Sequence, residues 1–416
     1  MNLQSTFVCI LLLTAQLFAA PGETWVTTWA TSPQASAPDP SEPLMNIENQ
    51  TVRERVRVSI GGDMIRIRLS NECGNSPLVV GSATVGTPNA PASVTPGSIH
   101  TITFGGSNSV TIPAGAPALS DPIPFPAAPA TEISLSLYFP KRVITPTAHW
   151  LALKSAVVSQ HGDHTRDEKI EGGAVTQSSI LVSAVLVPAQ PSQRVVVAFG
   201  DSITDGDRSS DADHNWPGDL ARRLGKTPEG SRVAVVNEGI IGNRLLNDCL
   251  MPAIGCFGVS ALARFERDAL ATPGVTHIIL LEGINDIGFP GAKLAGQLLA
   301  DPADIRTADD LIEAYRQLIS RAHIRGVKLI AGTITPCKDI VIPGYYSDSK
   351  EAVRQAVNKW IRTSGEFDGV IDFDAVLRDR EHPNKLQPKL ASADNIHPND
   401  AGYQAMADAI ELSLVR

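Results

Sequence analysis

Basic residues nowhere gather into a dense stripe in this chain, and acidic residues outnumber them 44 to 35, for a net charge of −9. A nucleic acid or an anionic membrane surface therefore has no electrostatic footprint to meet. Aromatic residues amount to 5%, too few for a platform on which single-stranded bases would stack. No C-x-x-C pair with neighbouring histidines occurs, so the usual spacing of zinc ligands is missing. Past the N-terminus no charge-free apolar run is long enough to cross a bilayer, and there is no internal repeat or low-complexity tract. What remains is a chain of 416 residues, long enough for two domains of ordinary size.

The first apolar run, Phe7 to Phe18, is followed by the small residues Ala19-Ala20-Pro21-Gly22. That order reads as a signal peptide over residues 1–22, although Met1 to Ser5 carry no Lys or Arg. The run is too short to span a membrane comfortably, so a secreted or periplasmic protein without stable membrane insertion is expected. Cys9 lies inside this segment, which leaves Cys73, Cys249, Cys256 and Cys337. An even number in an oxidising compartment favours disulfides. Cys249 and Cys256 close a short loop with Pro252 and Gly255 and form the favoured pair.

Two textures follow. From about Thr24 to Pro188 short alternating runs are punctuated by Pro and Gly, which predicts an all-β sandwich of jelly-roll type over 23–190. Within it Val56, Val58 and Ile60, then Ile65, Ile67 and Leu69, alternate with polar or basic residues on either side of Gly61-Gly62 and read as a hairpin. After Gln193 buried strands at 195–199, 233–236, 277–281, 327–334 and 370–373 alternate with amphipathic helices at 310–323 and 349–362. That pattern predicts an α/β/α domain with a parallel sheet over 191–416, joined through the linker 187–193.

Four strand-end segments carry chemistry. Arg194 to Phe199 runs straight into Gly200-Asp201-Ser202, which sets a hydroxyl at the carboxyl end of a strand, where open sheets bind ligands. Asn237 to Arg244 contains Gly242, whose amide can face a developing negative charge without a side chain in the way. Leu281-Glu-Gly-Ile-Asn285 ends another strand with a side-chain amide, approached through Gly283. Taken singly, each of these is more often a turn or cap residue. In Asp394-Asn-Ile-His397, the imidazole can act as a base and the carboxylate three residues earlier can fix its tautomer. Asn399 or Asp400 then caps a C-terminal helix. Asp379-Arg-Glu-His382-Pro383 repeats the D-x-x-H-P spacing, but no helix pattern follows it, so Asp394 and His397 are preferred.

Taken together and in order, Gly200-Asp-Ser-Ile-Thr-Asp-Gly206, Gly242, Gly283-Ile-Asn285-Asp286 and Asp394-Asn-Ile-His397 resemble the four blocks of the SGNH (GDSL-type) hydrolases. The wider chain resembles a secreted subgroup with a β-rich domain ahead of the hydrolase, through Thr24-Trp-Val-Thr-Thr-Trp-Ala-Thr-Ser-Pro33 and Arg66-Ile-Arg-Leu-Ser-Asn71. The resemblance implies a flavodoxin-like hydrolase fold and assigns Ser202 as nucleophile, His397 as base and acid, and Asp394 as its orienting partner. It places the oxyanion hole at the Ser202 N–H, the Gly242 N–H and the Asn285 side chain, and requires no cofactor or metal. The chain departs from its relatives at Cys73 and Cys337, where they carry an aromatic. Two aromatics packed at a domain junction would make Cys73 and Cys337 neighbours able to form a disulfide, with two separate buried thiols as the alternative.

The expected activity is that of a serine esterase releasing short acyl groups, acetyl first, from a small-molecule or polysaccharide ester. A lipase or phospholipase is the alternative enzyme, disfavoured because no apolar lid segment is present. A carbohydrate-binding surface protein with a vestigial hydrolase domain is the non-enzymatic one. Asp205, Asp207, Asp211 and Asp213 lack the ligand spacing of a calcium loop and read as a solvated acidic loop. Trp216 is expected either to wall the pocket or to pack, and Trp25 and Trp29 either to pack or to offer a sugar platform.

Overall fold

Frequent Pro and Gly keep residues 24–188 from forming long helices, and the chain there is built from short strands. The computed structural model describes residues 24–35, 43–144, 146–150, 152–248, 250–251 and 255–416. The longer strands of this half are β1 (Trp25–Ala30), β2 (Gln50–Arg57), β3 (Gly62–Ser70), β4 (Ser82–Gly86), β5 (Glu132–Phe139), β6 (Ala156–His161) and β7 (Val182–Pro188). Strands β1, β7 and β3 form one antiparallel sheet, and β6, β2, β5 and β4 another, each in that order. Alternate residues such as Ile65, Ile67 and Leu69 are fully buried, as expected where one face of a pleated strand meets a core.

The expected hairpin does not form. Val56 of β2 pairs with Ile133 of β5, whereas Ile67 of β3 pairs with Val185 of β7, so the two strands lie in different sheets. The intervening backbone is satisfied from elsewhere: the Val58 N–H donates to Thr131 O at 2.9 Å and the Ser59 N–H to Thr28 O at 2.9 Å. An alternating pattern says which face is buried; it does not say which strand lies alongside.

The second half holds β8 (Arg194–Gly200), β9 (Val233–Gly239), β10 (Val275–Leu281), β11 (Lys328–Gly332) and β12 (Gly369–Ile371), all parallel, in the order β9-β8-β10-β11-β12. This 2-1-3-4-5 arrangement is the flavodoxin-like doubly wound sheet. Val195 to Phe199 are all inaccessible to solvent, and burying each of the larger side chains contributes about 1.5–3 kcal/mol. The helices used below are α1 (Ser202–Asp205), α2 (Trp216–Gly225), α3 (Ile284–Gly288), α4 (Ala308–Ile324), α5 (Asp348–Thr363) and α6 (Asp400–Ala409). A capping box at Thr307 and Asp310 opens α4, and Asn399 caps α6 by accepting the Gly402 N–H. Among the described residues no helix is long and apolar enough to cross a membrane.

The two halves meet along β9 and the segment after α1. Ser32 Oγ donates to Glu238 Oε2 at 2.6 Å, the Val235 N–H donates to Ser59 Oγ at 2.9 Å, and Thr27 N–H to Pro273 O at 3.0 Å. Asp213 receives Arg57 at 2.6 Å and Lys154 at 2.5 Å. The acidic loop is therefore not simply solvated: Asp213 anchors one half to the other, and Asp211 lies 3.5 Å from Lys154.

Two expectations about cysteine meet different outcomes. Cys249 and the side chain of Cys256 lie outside the described residues, as does the segment 1–22. Cys73 and Cys337 do not form a disulfide. The Cys73 N–H donates to Thr147 Oγ1 at 3.0 Å within the β-rich half, whereas Cys337 follows β11 of the parallel sheet. Cys337 is buried beside Tyr345 and Arg354, and that burial pushes its thiol up to about 12.

The seam between the halves also holds a half-open cavity of about 120 Å³ lined by Trp29, Glu54, Arg57 and Lys154. Burial pushes Glu54 from an ordinary 4.5 up to about 8, against the opposing pull of Ser179 and the Ile180 N–H. The folded protein thus holds a proton between pH 4.5 and 8 that the unfolded chain has released. Stability from this group is complete below 4.5 and is lost as pH rises through 8, with a slope of at most about 1.4 kcal/mol per pH unit. Thermal melts from pH 5 to 8.5 should show a Tm that falls less steeply in Glu54→Gln than in the wild type. Parallel curves would mean that Glu54 does not hold this proton.

Candidate active site

Three strand ends stand level. Gly200 of β8 is in register with Gly239 of β9 and with Leu281 of β10. The chain leaves them through Asp201-Ser202, through Ile240 to Gly242, and through Glu282 to Asn285, so three of the four sequence segments converge at one edge. Gly200 is required there: a Cβ would stand 2.3 Å from the Leu281 carbonyl. Asp201 caps α1 by accepting the Ile203 N–H at 2.9 Å, and its burial pushes its carboxyl up to about 7. The Ser202 carbonyl accepts both the Gly206 and Asp207 N–H at 2.9 Å, which closes the turn behind the serine. Gly206 takes a φ of 113° to do so.

The fourth segment arrives from the far end of the chain. His397 Nε2 lies 2.8 Å from Ser202 Oγ, and His397 Nδ1 lies 2.9 Å from Asp394 Oδ2. Asp394 can only accept, so the Nδ1 position carries the hydrogen and Nε2 of the neutral ring is free to take one from the serine. The carboxylate is saturated on its other side: Oδ1 accepts Ser392 Oγ at 2.7 Å and the N–H groups of Ile396 and His397 at 3.2 and 3.0 Å. Arg208 Nε adds a bond to Oδ2 at 3.0 Å. Burial alone would raise Asp394, but the hydrogen bonds and charge of His397, with Ser392, hold it well below the usual carboxylate range.

Asn285, in the first turn of α3, is fixed on both of its polar atoms. Nδ2 donates to Asn243 O at 2.9 Å and Oδ1 accepts the Tyr345 hydroxyl at 2.8 Å. A peptide carbonyl cannot donate, which settles the amide orientation and leaves one Nδ2 hydrogen for another acceptor. Gly242 has φ 69°, and the Phe257 ring fills the space a Cβ would need, with its nearest atom 2.6 Å away. Both the backbone angle and the space forbid a side chain there.

Behind the site Arg264 is wholly buried. It donates to the Gly200 carbonyl at 2.9 Å, Asn243 Oδ1 at 2.9 Å, Glu238 O at 2.8 Å and Ser32 Oγ at 3.0 Å, and lies 4.0 Å over the Phe199 ring. One guanidinium thereby ties the serine strand, the Gly242 loop and the β-rich half together. Sequence reasoning missed Arg264, Asn243, Tyr345 and Arg208. Asn243 directly follows Gly242 in a segment the sequence does mark, whereas Arg264, Tyr345 and Arg208 lie outside the four segments; all four acquire their roles from residues distant in the chain. Asp379 and His382 stand apart from the site: His382 is exposed, and Asp379 accepts its backbone N–H at 2.8 Å. Trp216 is fully buried against Phe373 at 5.7 Å and so packs rather than walling a pocket. Trp25 lies beneath Arg66 at 4.9 Å.

A serine, histidine and aspartate linked in series at the carboxyl ends of a doubly wound sheet are the constellation of a serine hydrolase. The chain belongs to the GDSL-like Lipase/Acylhydrolase family, whose model matches residues 198–405, and it is an ester hydrolase. No curated protein matches it. It is similar to the solved aryl esterase of M. smegmatis, at 15% identity and a TM-score of 0.40 over 54% of this chain and 100% of that one. It is also similar to a GDSL-like lipase from Bacteroides thetaiotaomicron, at 16% identity and a TM-score of 0.38 over 53% and 87%. A variant acetyl xylan esterase from Geobacillus stearothermophilus matches at 20% identity and a TM-score of 0.39 over 53% and 94%.

Proposed function

We propose that the protein is a secreted or periplasmic serine esterase that removes short acyl groups, acetyl first, from small-molecule or polysaccharide esters. The observation that carries the chemistry is the 2.8 Å contact between Ser202 Oγ and His397 Nε2, with Asp394 on the opposite ring nitrogen. Ser202 Oγ attacks the ester carbonyl carbon while its proton passes to His397 Nε2. The carbonyl oxygen becomes an oxyanion received by the Ser202 N–H, the Gly242 N–H and the spare Nδ2 hydrogen of Asn285. Collapse breaks the acyl–oxygen bond, His397 returns the proton to the leaving alcohol, and water repeats the sequence on the acyl-enzyme. Asp394 stays ionised throughout and steadies the imidazolium.

The preference for short chains is supported by the lack of an apolar lid segment in the sequence, and export by the apolar N-terminal run with its small-residue flank. On this reading residues 1–22 are removed, 23–190 form an accessory domain and 191–416 the hydrolase.

Turnover of p-nitrophenyl acetate should be unaffected by EDTA and lost to a serine-directed organophosphonate, with mass spectrometry placing the label on Ser202. Activity lost on chelation and restored by a divalent ion would contradict the mechanism. Rates on p-nitrophenyl esters of increasing length should fall beyond short acyl groups; a maximum at long chains would make the protein a lipase instead.

A further inference from the structure

One histidine of the β-rich half reaches the helix that carries Ser202. His149 is buried at the seam, with Nδ1 3.1 Å from the Ser32 carbonyl and Nε2 3.0 Å from Asp205 Oδ1. A peptide carbonyl only accepts, and so does an ionised carboxylate, whereas a neutral imidazole offers one N–H. Both contacts are satisfied only if the His149–Asp205 pair holds an extra proton, as imidazolium and carboxylate or as a neutral pair sharing it. Burial by itself would lower His149, but the charge and hydrogen bond of Asp205, together with the Ser32 carbonyl, outweigh it and keep the imidazole above its ordinary range, with Arg264 opposing.

Asp205 is the last residue of α1, three positions after Ser202. Its second oxygen, Oδ2, accepts the Ile241 N–H at 3.1 Å, and Ile241 immediately precedes Gly242. Its own carbonyl accepts the side-chain amides of Asn215 at 2.8 Å and Asn237 at 3.2 Å. The carboxylate therefore spans the serine helix and the Gly242 loop, and His149 sets the carboxylate's orientation from the other half of the molecule.

We propose that His149 is a positioning residue for the reaction, which orients Asp205 and through it the Gly242 N–H toward the oxyanion. The β-rich half then completes the active site from behind without contacting substrate. This inference rests on the assignment of Ser202, Gly242 and Asn285 made above. A loop held by one carboxylate oxygen moves when that carboxylate turns, and small displacements of an oxyanion donor are costly because the donor must already be in place when charge develops.

The test compares His149→Phe, which keeps the ring volume without donors, with His149→Gln, whose amide can still donate to Asp205. Active sites are counted by organophosphonate titration, so that misfolded protein is excluded. Per titrated site, His149→Phe should lower kcat on p-nitrophenyl acetate by about 10- to 100-fold with KM within about twofold. Inhibition by propylboronic acid, whose tetrahedral adduct on Ser202 places an oxygen in the oxyanion hole, should weaken in step with kcat. His149→Gln should fall between Phe and wild type. If His149→Phe does not fold, the same readouts on His149→Gln, Asp205→Asn and their double variant decide, with non-additive losses expected. A kcat and boronate affinity within twofold of wild type in the folded variants, whatever happens to Tm, would overturn the proposal. Turnover by Ser202→Ala close to the wild-type rate would instead overturn the assignment on which it rests.

Discussion

Replacing Ser202 with Ala, or His397 with Ala, should each remove nearly all ester turnover, on the order of a million-fold in kcat, while His382→Ala stays close to wild type. The two catalytic changes act on one unit, because His397 is useful only as the acceptor of the Ser202 proton; the double variant should be little worse than either single one. Both side chains lie outside the sheet, Ser202 at the start of α1 and His397 in the loop before α6, so circular dichroism and melting should show an intact fold. The His382 arm separates two identical D-x-x-H-P spacings. In one, Asp394 meets the imidazole Nδ1 at 2.9 Å; in the other, Asp379 meets only the backbone N–H of His382. An inactive His382→Ala with an active His397→Ala would reverse that assignment.

Asn285→Ala should lower kcat by about 100- to 1,000-fold, about 3–4 kcal/mol of transition-state stabilisation, with a smaller effect on KM. The reason is timing: the spare Nδ2 hydrogen has its full partner only once the carbonyl oxygen carries charge. Asn285→Asp should do no better, since a carboxylate facing the oxyanion repels it and loses the bond to the Asn243 carbonyl. Steady-state kinetics on p-nitrophenyl acetate, with active-site titration, checks both. A raised KM at unchanged kcat would make Asn285 a ground-state binding residue.

Much of the site was legible in the sequence because its residues sit in short local blocks. Gly200, Asp201 and Ser202 announce a strand that stops and turns, and Asp394 to His397 carry a base and its partner on one turn. The relations among blocks were less legible. Arg264 resembles any basic residue of an amphipathic segment, yet it is buried on the carbonyl that precedes the serine by two residues. His149 lies in a stretch without pattern, and only the packing of Ser32 and Asp205 on its two nitrogens gives it meaning. The hairpin at Gly61-Gly62 was misread for a related reason: β2 and β3 have the right alternation, but their hydrogen-bond partners come from β5 and β7. The disulfide expected from the resemblance failed because Cys73 is held within the β-rich half, its N–H on Thr147 Oγ1, while Cys337 lies buried after β11 beside Tyr345 and Arg354.

The sequence by itself determined the fold class of the second half, the order of its strands and helices to within a few residues, and which serine, histidine and aspartate come within hydrogen-bond distance of one another. These depend on periodicity and on motifs confined to a few positions, where local sterics and hydrogen-bonding capacity decide the outcome. Tertiary structure alone decided which sheet each β-strand joins, which acidic residues become anchors, and that a histidine and an arginine from outside every motif brace the strand ends. Those outcomes depend on burial and on hydrogen-bond partners brought together across long stretches of chain, from His149 to Asp205 and from Ser32 to Arg264.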